Sequence, residues 1–322
     1  MRESLLAGPS LRAVGQRVVR FVVSLFVLVT VTFLMVHALP GDPVRAALGP
    51  KASPATVAAV RHHLGLDDPL ATQYVNYLKH VFTGDLGTSI QTNTPVSDLL
   101  SQRGPTTATL AIAAFVVTLA VSIPVGMAAG IFLIRRRGGP AQSAFSATTG
   151  FLSSIPDYIM CVILIQVFGV SLHFLPPAGG TGFQSFILPV AALSLGPSAY
   201  LTRLVRAETQ RVLSEPYMRT ARAKRLAASR LYVRHALPNI LVSTLAVSGL
   251  LLIGLISGTV LVESIFGLSG LGLTLVDSVA ATDFPAVQSL ALFFGAVVLS
   301  INLVVDLLIV VADPRAAIKE SA

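Results

Sequence analysis

Long apolar stretches, in which polar residues do not alternate with apolar ones, alternate with shorter polar segments along most of the chain. A helix needs about 20 apolar residues to cross about 30 Å of hydrocarbon. Six stretches reach that length, namely 21–39, 108–134, 143–170, 186–202, 239–262 and 285–311. Since strands of a membrane barrel alternate apolar and polar residues, this pattern predicts six transmembrane helices and an all-α integral membrane protein.

Two of these spans are less regular than the others. Ser153-Ser154-Ile155-Pro156-Asp157 interrupts the third, and proline has no amide hydrogen to continue a helix. The first span also fits a signal peptide, because arginines precede it and Val36-His37-Ala38 resembles a cleavage site. We expect an uncleaved anchor, since six spans place both termini on one side of the membrane.

The composition supports a membrane protein and excludes several other classes. Hydrophobic residues make up 53% of the 322 residues, charged residues make up 12%, and the mean hydropathy is +0.77. A soluble domain carries about 25% charged residues, and one this apolar would expose large aggregating patches. Cys161 is the only cysteine, so the chain has no internal disulfide framework.

The positions of the basic residues predict the orientation and account for the net charge of +8. Most of them lie before the first span, at 135–137, in 203–234 and after the last span, all on one side. Lys and Arg accumulate on the cytoplasmic side of membrane proteins, so both termini are expected in the cytoplasm. The basic excess therefore sets the topology and does not indicate a nucleic-acid partner.

The predicted organisation has two polar insertions. It comprises a cytoplasmic segment 1–20, a first transmembrane helix 21–39, an extracytoplasmic insertion 40–104, a five-helix core 105–315 with a cytoplasmic loop at 203–238, and a cytoplasmic tail 316–322. The outer insertion contains two predicted helices, one from Ser53-Pro54 to about Gly65 and one from Asp68-Pro69 to Gly84. The second carries an apolar stripe of Tyr74, Tyr77, Leu78 and Val81. Both a packed cap and a surface that contacts substrate remain open.

The cytoplasmic loop contains a short polar helix with a few apolar positions. Ser214 or Glu215 can cap this helix, with Pro216 in its first turn. The helix is too polar for lipid, yet Tyr217, Met218, Ala221 and Leu226 make it too apolar for a free tail. It fits either a helix that docks a partner protein or an interfacial helix held by lipid phosphates.

Several short motifs occur in a defined order along the chain. They are Leu39-Pro40-Gly41-Asp42-Pro43, Leu64-Gly65-Leu66-Asp67-Asp68-Pro69, Gly84-Asp85-Leu86-Gly87-Thr88-Ser89, Tyr217-Met218-Arg219-Thr220-Ala221-Arg222-Ala223-Lys224, Arg234-His235-Ala236-Leu237-Pro238-Asn239, Val262-Glu263-Ser264-Ile265-Phe266, Gly270-Leu271-Gly272, Asp283-Phe284-Pro285 and Asp313-Pro314-Arg315. Over about 12–315 the chain resembles ABC-importer permeases, and most closely the B-type subunit of oligopeptide and dipeptide systems. It departs from them at Arg225, where their loop usually has glycine. Either the turn is built differently or its corner moves towards Ala227-Ala228-Ser229.

The resemblance implies a transport subunit that works with other chains. A related C-type permease would complete the pathway, two ATPase subunits binding ATP and Mg would drive it, and an extracytoplasmic binding protein would deliver peptide. Closely similar permeases import nickel or other small solutes, so that cargo is the alternative. The implied ATPase-coupling loop consists of Tyr217, Arg219, Thr220, Ala221, Arg222, Ala223, Lys224 and Arg225.

The chain has no nucleotide-binding motif of its own, because no G-x-x-x-x-G-K-[ST] occurs in it. No catalytic, cofactor or metal site is predicted, and His62-His63 are adjacent and so point apart on a helix. Gly267-Leu268-Ser269-Gly270 matches a short motif of intramembrane serine proteases, but no histidine follows Ser269 to activate it.

Polar side chains inside a span are the first candidates for a translocation pathway, because they are costly against lipid. Ser153, Ser154 and Asp157 meet this criterion in the third span. A carboxylate there could attract the ammonium group of a peptide. The alternative is that Asp157 makes a hydrogen bond between packed helices.

Overall fold

The computed structural model describes residues 11–38, 43–49, 52–63, 65–133, 139–180 and 182–312, and these form helices without named strands. In chain order the helices are α1 Leu11–Ala38, α2 Pro43–Leu48, α3 Pro54–His63, α4 Leu70–Thr83, α5 Val96–Leu133, α6 Pro140–Ser154, α7 Asp157–Leu164, α8 Gln184–Ser214, α9 Pro216–Ala223, α10 Leu237–Phe266, α11 Leu271–Ala280 and α12 Phe284–Ala312. Two π-helical segments, Ile165–Ser171 and Arg230–Ala236, continue α7 and precede α10. The all-α membrane fold predicted from the sequence is confirmed.

Parts of some predicted motifs lie outside the described residues. These parts are Leu39-Pro40-Gly41-Asp42, Leu64, the basic group 135–137 and Asp313-Pro314-Arg315.

Five helical segments in the described ranges are long and apolar enough to cross a membrane. They are Val14–Met35, Val96–Leu133, Gln184–Ser214, Arg230–Phe266 and Phe284–Leu308. The predicted third span is not one straight helix, because Pro140–Ser154 and Asp157–Ser171 meet at a bend of 98°. Counting this bent pair as one span gives six.

The bend follows from the backbone chemistry of proline. Ile155 is extended, with φ −76° and ψ 121°, as a residue before proline prefers to be. Pro156 follows with φ −60° and ψ 144° and cannot donate a helical hydrogen bond. The helix therefore ends at Ser154 and restarts at Asp157, so that Ser153 and Ser154 lie on one arm of the bend and Asp157 on the other.

The chain divides into two compact units. The described part of the first comprises 108–133, 139–180, 182–268 and 305–312, and that of the second comprises 11–38, 43–49, 52–63, 65–107 and 269–304. The first unit packs α6, α7, α8 and α10 around a buried cluster that includes Leu193, Val262 and Phe266. In this unit Gly126 and Gly130 of α5 face Val205 and Thr209 of α8 so closely that a Cβ on either glycine would lie 2.6 Å from a Cβ of α8. This small-residue pair permits a close helix crossing.

The second unit contains the helices of the outer insertion, and their ends agree with the sequence. The Ser53 hydroxyl accepts a hydrogen bond from the Thr56 amide at 3.1 Å, as a cap of α3 should. Gly84 ends α4 with φ +77°, a conformation that glycine adopts without a Cβ clash. The apolar part of α5 was predicted from 108, but this helix begins at Val96, inside the range assigned to the insertion.

Within the second unit, Asp283 connects the segment between α4 and α5 to the start of α12. Its carboxylate is 1% exposed and accepts hydrogen bonds from the Ser89 hydroxyl at 2.5 Å and from the amides of Ile90 and Gln91 at 3.2 and 3.3 Å. The amide of Ala286, in the first turn of α12, donates to it at 3.4 Å. The two sequence motifs that end in Ser89 and begin with Asp283 therefore form one polar cluster.

We expect Asp283→Ala to destabilise the second unit by about 2–4 kcal/mol, because it leaves several buried donors without an acceptor. The expected readout is a lower melting temperature of the purified protein in detergent, together with faster proteolysis between α4 and α5. Asp277→Ala is the matched control, because Asp277 is an exposed aspartate of α11. Equal melting temperatures of the two variants would show that the carboxylate cluster contributes little.

Candidate functional site

The predicted cytoplasmic loop forms a helical corner between α8 and α10. α8 continues well beyond the predicted end of its span, to Ser214. Glu215 is then extended, with ψ 148°, and Pro216 occupies the first position of α9. The predicted start of the helix is confirmed, and Glu215, one of the two predicted caps, occupies the N-cap position. Glu215 makes no side-chain capping bond, and the Ser214 hydroxyl instead donates to the carbonyl of Arg211 at 2.7 Å.

α9 is fixed to the ends of α8 and α10 by apolar packing. Met218 is fully buried and Ala221 is 8% exposed. Both belong to a cluster with residues of α8, of the π-helical segment and of α10, namely Leu201, Val205, Val212, Leu213, Leu231, Ala236 and Ile240. Burying a methionine side chain contributes about 1.5–3 kcal/mol, a large anchor for a helix of 8 residues.

A single arginine adds a polar anchor to this packing. The Arg222 guanidinium donates a hydrogen bond from Nη2 to the carbonyl oxygen of Leu213 at 2.9 Å. That carbonyl belongs to the last turn of α8, where no intrahelical donor remains. Arg222 therefore holds α9 against the end of α8, and its charge also favours the negative end of the α8 dipole.

The side of α9 that adjoins this anchor faces a groove of about 550 Å³. Tyr217, Thr220 and Lys224 share one face of the helix, because they are three and four residues apart. The residues lining the groove are Tyr217, Thr220, Ala221, Lys224, Leu226, Arg230, Arg234 and His235. None of these residues is acidic, so the groove suits a negatively charged group.

Tyr217 does not offset this positive charge. Partial burial, and then the nearby Glu215 carboxylate, raise the pKa of Tyr217 above its ordinary value of 10.0. The phenol is therefore neutral at physiological pH and can donate a hydrogen bond to an anionic partner. The Arg211 guanidinium pairs with the Glu208 carboxylate at 2.8 Å and lies 4.0 Å from the Glu215 carboxylate. These two acidic groups therefore interact with Arg211 and not with the basic residues that line the groove.

The turn that follows α9 lies at Arg225, the position where the resembling permeases usually have glycine. This residue has φ +51°, although it is not glycine. Its amide donates to the carbonyl of Arg222 at 2.9 Å, and the amide of Lys224 donates to that of Thr220 at 3.1 Å. The left-handed conformation costs a residue with a Cβ about 1 kcal/mol. The alternative of a corner shifted towards Ala227-Ala228-Ser229 is therefore wrong, and Arg225 adopts the conformation that a glycine would take.

The three predicted pathway residues have different surroundings. The Ser153 hydroxyl accepts a hydrogen bond from Arg203 at 3.0 Å, and both Ser153 and Ser154 donate to the carbonyl of Gly150 at 3.1 and 2.9 Å. The half-buried Asp157 carboxylate points towards glycines of two neighbouring helices. Its oxygens lie 3.5 and 3.9 Å from the places where Cβ atoms of Gly258 in α10 and Gly196 in α8 would be. A role in translocation stays a prediction.

Sequence reasoning missed the partners of several of these residues. The contact of Arg203 with Ser153 joins positions that are 50 residues apart, and the Asp283 cluster joins positions 194 apart. Asp283 carried one usable signal, because an aspartate just before Phe284-Pro285 is a typical helix cap. Nothing in the spacing indicated that Arg222 points back to α8 while Lys224 faces the groove.

The described residues thus form a multi-span helical membrane protein in which a short helix is fixed between two spans, beside a cationic groove. Two family models match the chain. The model described as "Binding-protein-dependent transport system inner membrane component" matches residues 122–318. The model described as "Binding-prot-dependent transport system membrane comp, N-term" matches residues 10–111. The chain belongs to this family of inner-membrane components, so it is a multi-pass membrane subunit of a transport system. The resemblance to ABC-importer permeases of the peptide type is confirmed.

Curated relatives match over almost their whole length. The glutathione transport system permease protein GsiC of Salmonella typhimurium (strain LT2) is 36% identical over 304 residues, which cover 94% of this chain and 98% of GsiC. The putative peptide transport system permease protein BAB2_1050 of Brucella abortus (strain 2308) is 37% identical over 308 residues, covering 93% of this chain and 97% of that protein. The putative peptide transport system permease protein BMEII0209 of Brucella melitensis is also 37% identical over 308 residues.

Substitutions at Arg225 should test the left-handed corner. We expect Arg225→Val to loosen the loop by about 1 kcal/mol or more, because a β-branched residue fits φ > 0 worse than arginine does. The measurement is hydrogen exchange of the amides in 216–236, which should become about fivefold faster. Arg225→Gly should not accelerate exchange. Lys224→Val is the control, since Lys224 has φ −74°. If Arg225→Val and Lys224→Val exchange alike, the corner is not strained at Arg225.

Proposed function

We propose that this chain is one of two permease subunits of an ATP-driven importer that carries peptides, delivered by an extracytoplasmic binding protein, into the cytoplasm. The single observation that carries the proposal is α9, a short helix fixed to two spans with a cationic groove beside it. The second permease would be a related C-type chain. Two ATPase subunits would bind ATP and Mg and hydrolyse the ATP, because this sequence contains no phosphate-binding loop of the G-x-x-x-x-G-K-[ST] type.

The coupling role of α9 follows from its attachments. A helix held by Met218, Ala221 and Arg222 cannot move independently of α8 and α10. Closure of an ATPase pair that binds α9 would therefore shift both of these helices, and shifts of rigid elements about an interface are a common way to pass on a conformational change. The clustering of basic residues around this loop supports placing it, and both termini, in the cytoplasm.

The proposed coupling residues divide into three groups. Arg222 belongs to the anchor because it binds the carbonyl of Leu213. Tyr217, Thr220, Lys224 and Ala221 line the groove, while Arg219, Ala223 and Arg225 are exposed outside it. Reversing the charge of Arg222 and Lys224 together would disturb both the anchor and the contact surface, so Lys224 alone provides the sharper test.

Peptide is the cargo class that the relatives support, since two carry "peptide transport system" in their names and another is named for glutathione. Asp157 supports the same class, because a carboxylate within a span can attract the ammonium group of a peptide. Its position beside Gly196 and Gly258 leaves it partly accessible. We include Ser153, Ser154 and Asp157 in the proposed pathway, with Arg203 held against Ser153 at its side.

We expect Lys224→Glu to uncouple the reconstituted complex. An anionic group of the ATPase in the groove would face a carboxylate, and a lost interfacial charge contact costs about 2 kcal/mol or more, which corresponds to at least about thirtyfold in the ATPase affinity. The measurement is co-purification of the ATPase subunits and uptake in proteoliposomes. Lys79→Glu is the control, because it reverses an exposed lysine of α4. Normal uptake by Lys224→Glu would contradict the proposed contact.

The cargo is tested with the complex of both permeases, both ATPases and the binding protein in proteoliposomes. We expect peptides to stimulate ATP hydrolysis and to accumulate inside, whereas nickel should do neither. Asp157→Asn should weaken the peptide response, because it removes the negative charge while keeping a similar shape. Stimulation by nickel and not by peptide would assign the complex to the alternative cargo. ATP hydrolysis that responds to no solute while the solute leaks through would indicate a passive pore.

A further inference from the structure

α4 has three distinct faces. A helix that lies on a protein surface needs only two, one that packs on the protein and one that faces water. At about 100° per residue, Tyr74, Tyr77 and Val81 fall on one side and Thr72, Asn76, Lys79 and Thr83 on another. A third side carries an apolar stripe at helical spacing, consisting of Ala71, Val75, Leu78 and Phe82.

The first face fixes α4 against α1 in the second unit. The Tyr74 hydroxyl shares a hydrogen bond with the Thr30 hydroxyl at 2.8 Å, and the Tyr77 hydroxyl shares one with Thr32 at 3.0 Å. The ring of Phe33 meets those of Tyr74 and Tyr77 at centroid distances of 5.1 and 5.7 Å. Two hydrogen bonds and two ring contacts hold α4 at a defined level of α1.

That level lies inside the apolar part of α1. The span-like segment runs from Val14 to Met35. At a rise of 1.5 Å per residue, Thr30 and Thr32 lie about 8 and 5 Å before its end. Side chains of α1 at the same level remain exposed and apolar, with Val31 at 56% and Leu34 at 54%. In a membrane-spanning helix, exposed apolar side chains at this level lie within the hydrocarbon region, against lipid or another span.

The third face of α4 is exposed, and it begins beside Tyr74 and Tyr77. Phe82 is 83% exposed and Val75 is 48% exposed, while Ala71 is also exposed and Leu78 is half-buried. An interfacial amphipathic helix buries its apolar face about 5–10 Å into the boundary between headgroups and acyl chains. The contacts with Thr30 and Thr32 place Tyr74 and Tyr77, which flank Val75 and Leu78, in this range. A water-borne partner would have to displace lipid to reach the stripe.

We propose that α4 is an interfacial helix that inserts the stripe of Ala71, Val75, Leu78 and Phe82 into the lipid leaflet at the carboxyl end of α1. Thr72, Asn76, Lys79 and Thr83 then face the headgroups and water. This inference concerns the membrane surface and depends neither on the cargo nor on the ATPase contact. The tyrosine hydroxyls lie at the interface, where aromatic residues with a polar end are common.

The experiment measures lipid contact at single positions of the full-length protein. Val75→Cys and Phe82→Cys place a thiol on the stripe, and Thr72→Cys and Asn76→Cys place one on the polar face. Cys161→Ser removes the buried native thiol. Each variant is labelled with a polarity-sensitive fluorophore and reconstituted in vesicles of phosphatidylethanolamine and phosphatidylglycerol. Quenching by spin-labelled lipid is compared with quenching by aqueous iodide.

The expected result is blue-shifted emission and several-fold stronger quenching by spin-labelled lipid at 75 and 82 than at 72 and 76, with the opposite order for iodide. Equal access of iodide to all four positions would overturn the proposal, because the stripe would then face water. Protection of 75 and 82 from both quenchers would overturn it as well, because a protein surface would then cover the stripe. The four labelled positions are exposed, and the buried Cys161→Ser change is common to all variants, so unchanged circular dichroism relative to the natural protein verifies their fold.

Discussion

The attachment of α9 to two membrane helices is the constraint on which the proposed transport role depends. A helix of 8 residues is far too short to be stable in water by itself, so its position comes entirely from tertiary contacts. Met218 and Ala221 provide these contacts through a cluster that α8 and α10 also enter. The bond from Arg222 to the carbonyl of Leu213 satisfies a helix end and orients α9 at the same time. The result is a small rigid element whose remaining surface is free for another chain.

The charges around this helix illustrate how one residue type takes on separate roles. Arg211 pairs with Glu208, Arg222 caps α8, and Arg203 holds Ser153. Lys224 faces the groove instead. A net charge of +8 describes none of these roles, because a sum over the chain does not distinguish an arginine that stabilises a carbonyl from a lysine available to a partner. The local geometry makes that distinction.

The sequence predicted those features that depend on neighbouring residues. The apolar stretches predicted the spans, Ser53 predicted the start of α3, and Gly84 predicted the end of α4, because capping and periodicity act over a few residues. The break at Pro156 was also visible, but its angle of 98° was not, since packing of α6 and α7 on other helices sets it. Contacts such as that of Asp283 with Ser89 could not be predicted, because pairing across 194 residues depends on the assembled fold.

Arg225 marks the limit of reasoning by analogy with a family. The usual glycine suggested that with arginine the turn is either built differently or moved, yet the backbone adopts φ +51° with arginine in place. The strain of about 1 kcal/mol is small compared with the burial of Met218 and the bond made by Arg222, which together fix where α9 must end. The corner is thus imposed by the anchors on either side of it rather than by its own residue. Glycine eases that conformation, and the packing of α9 determines it.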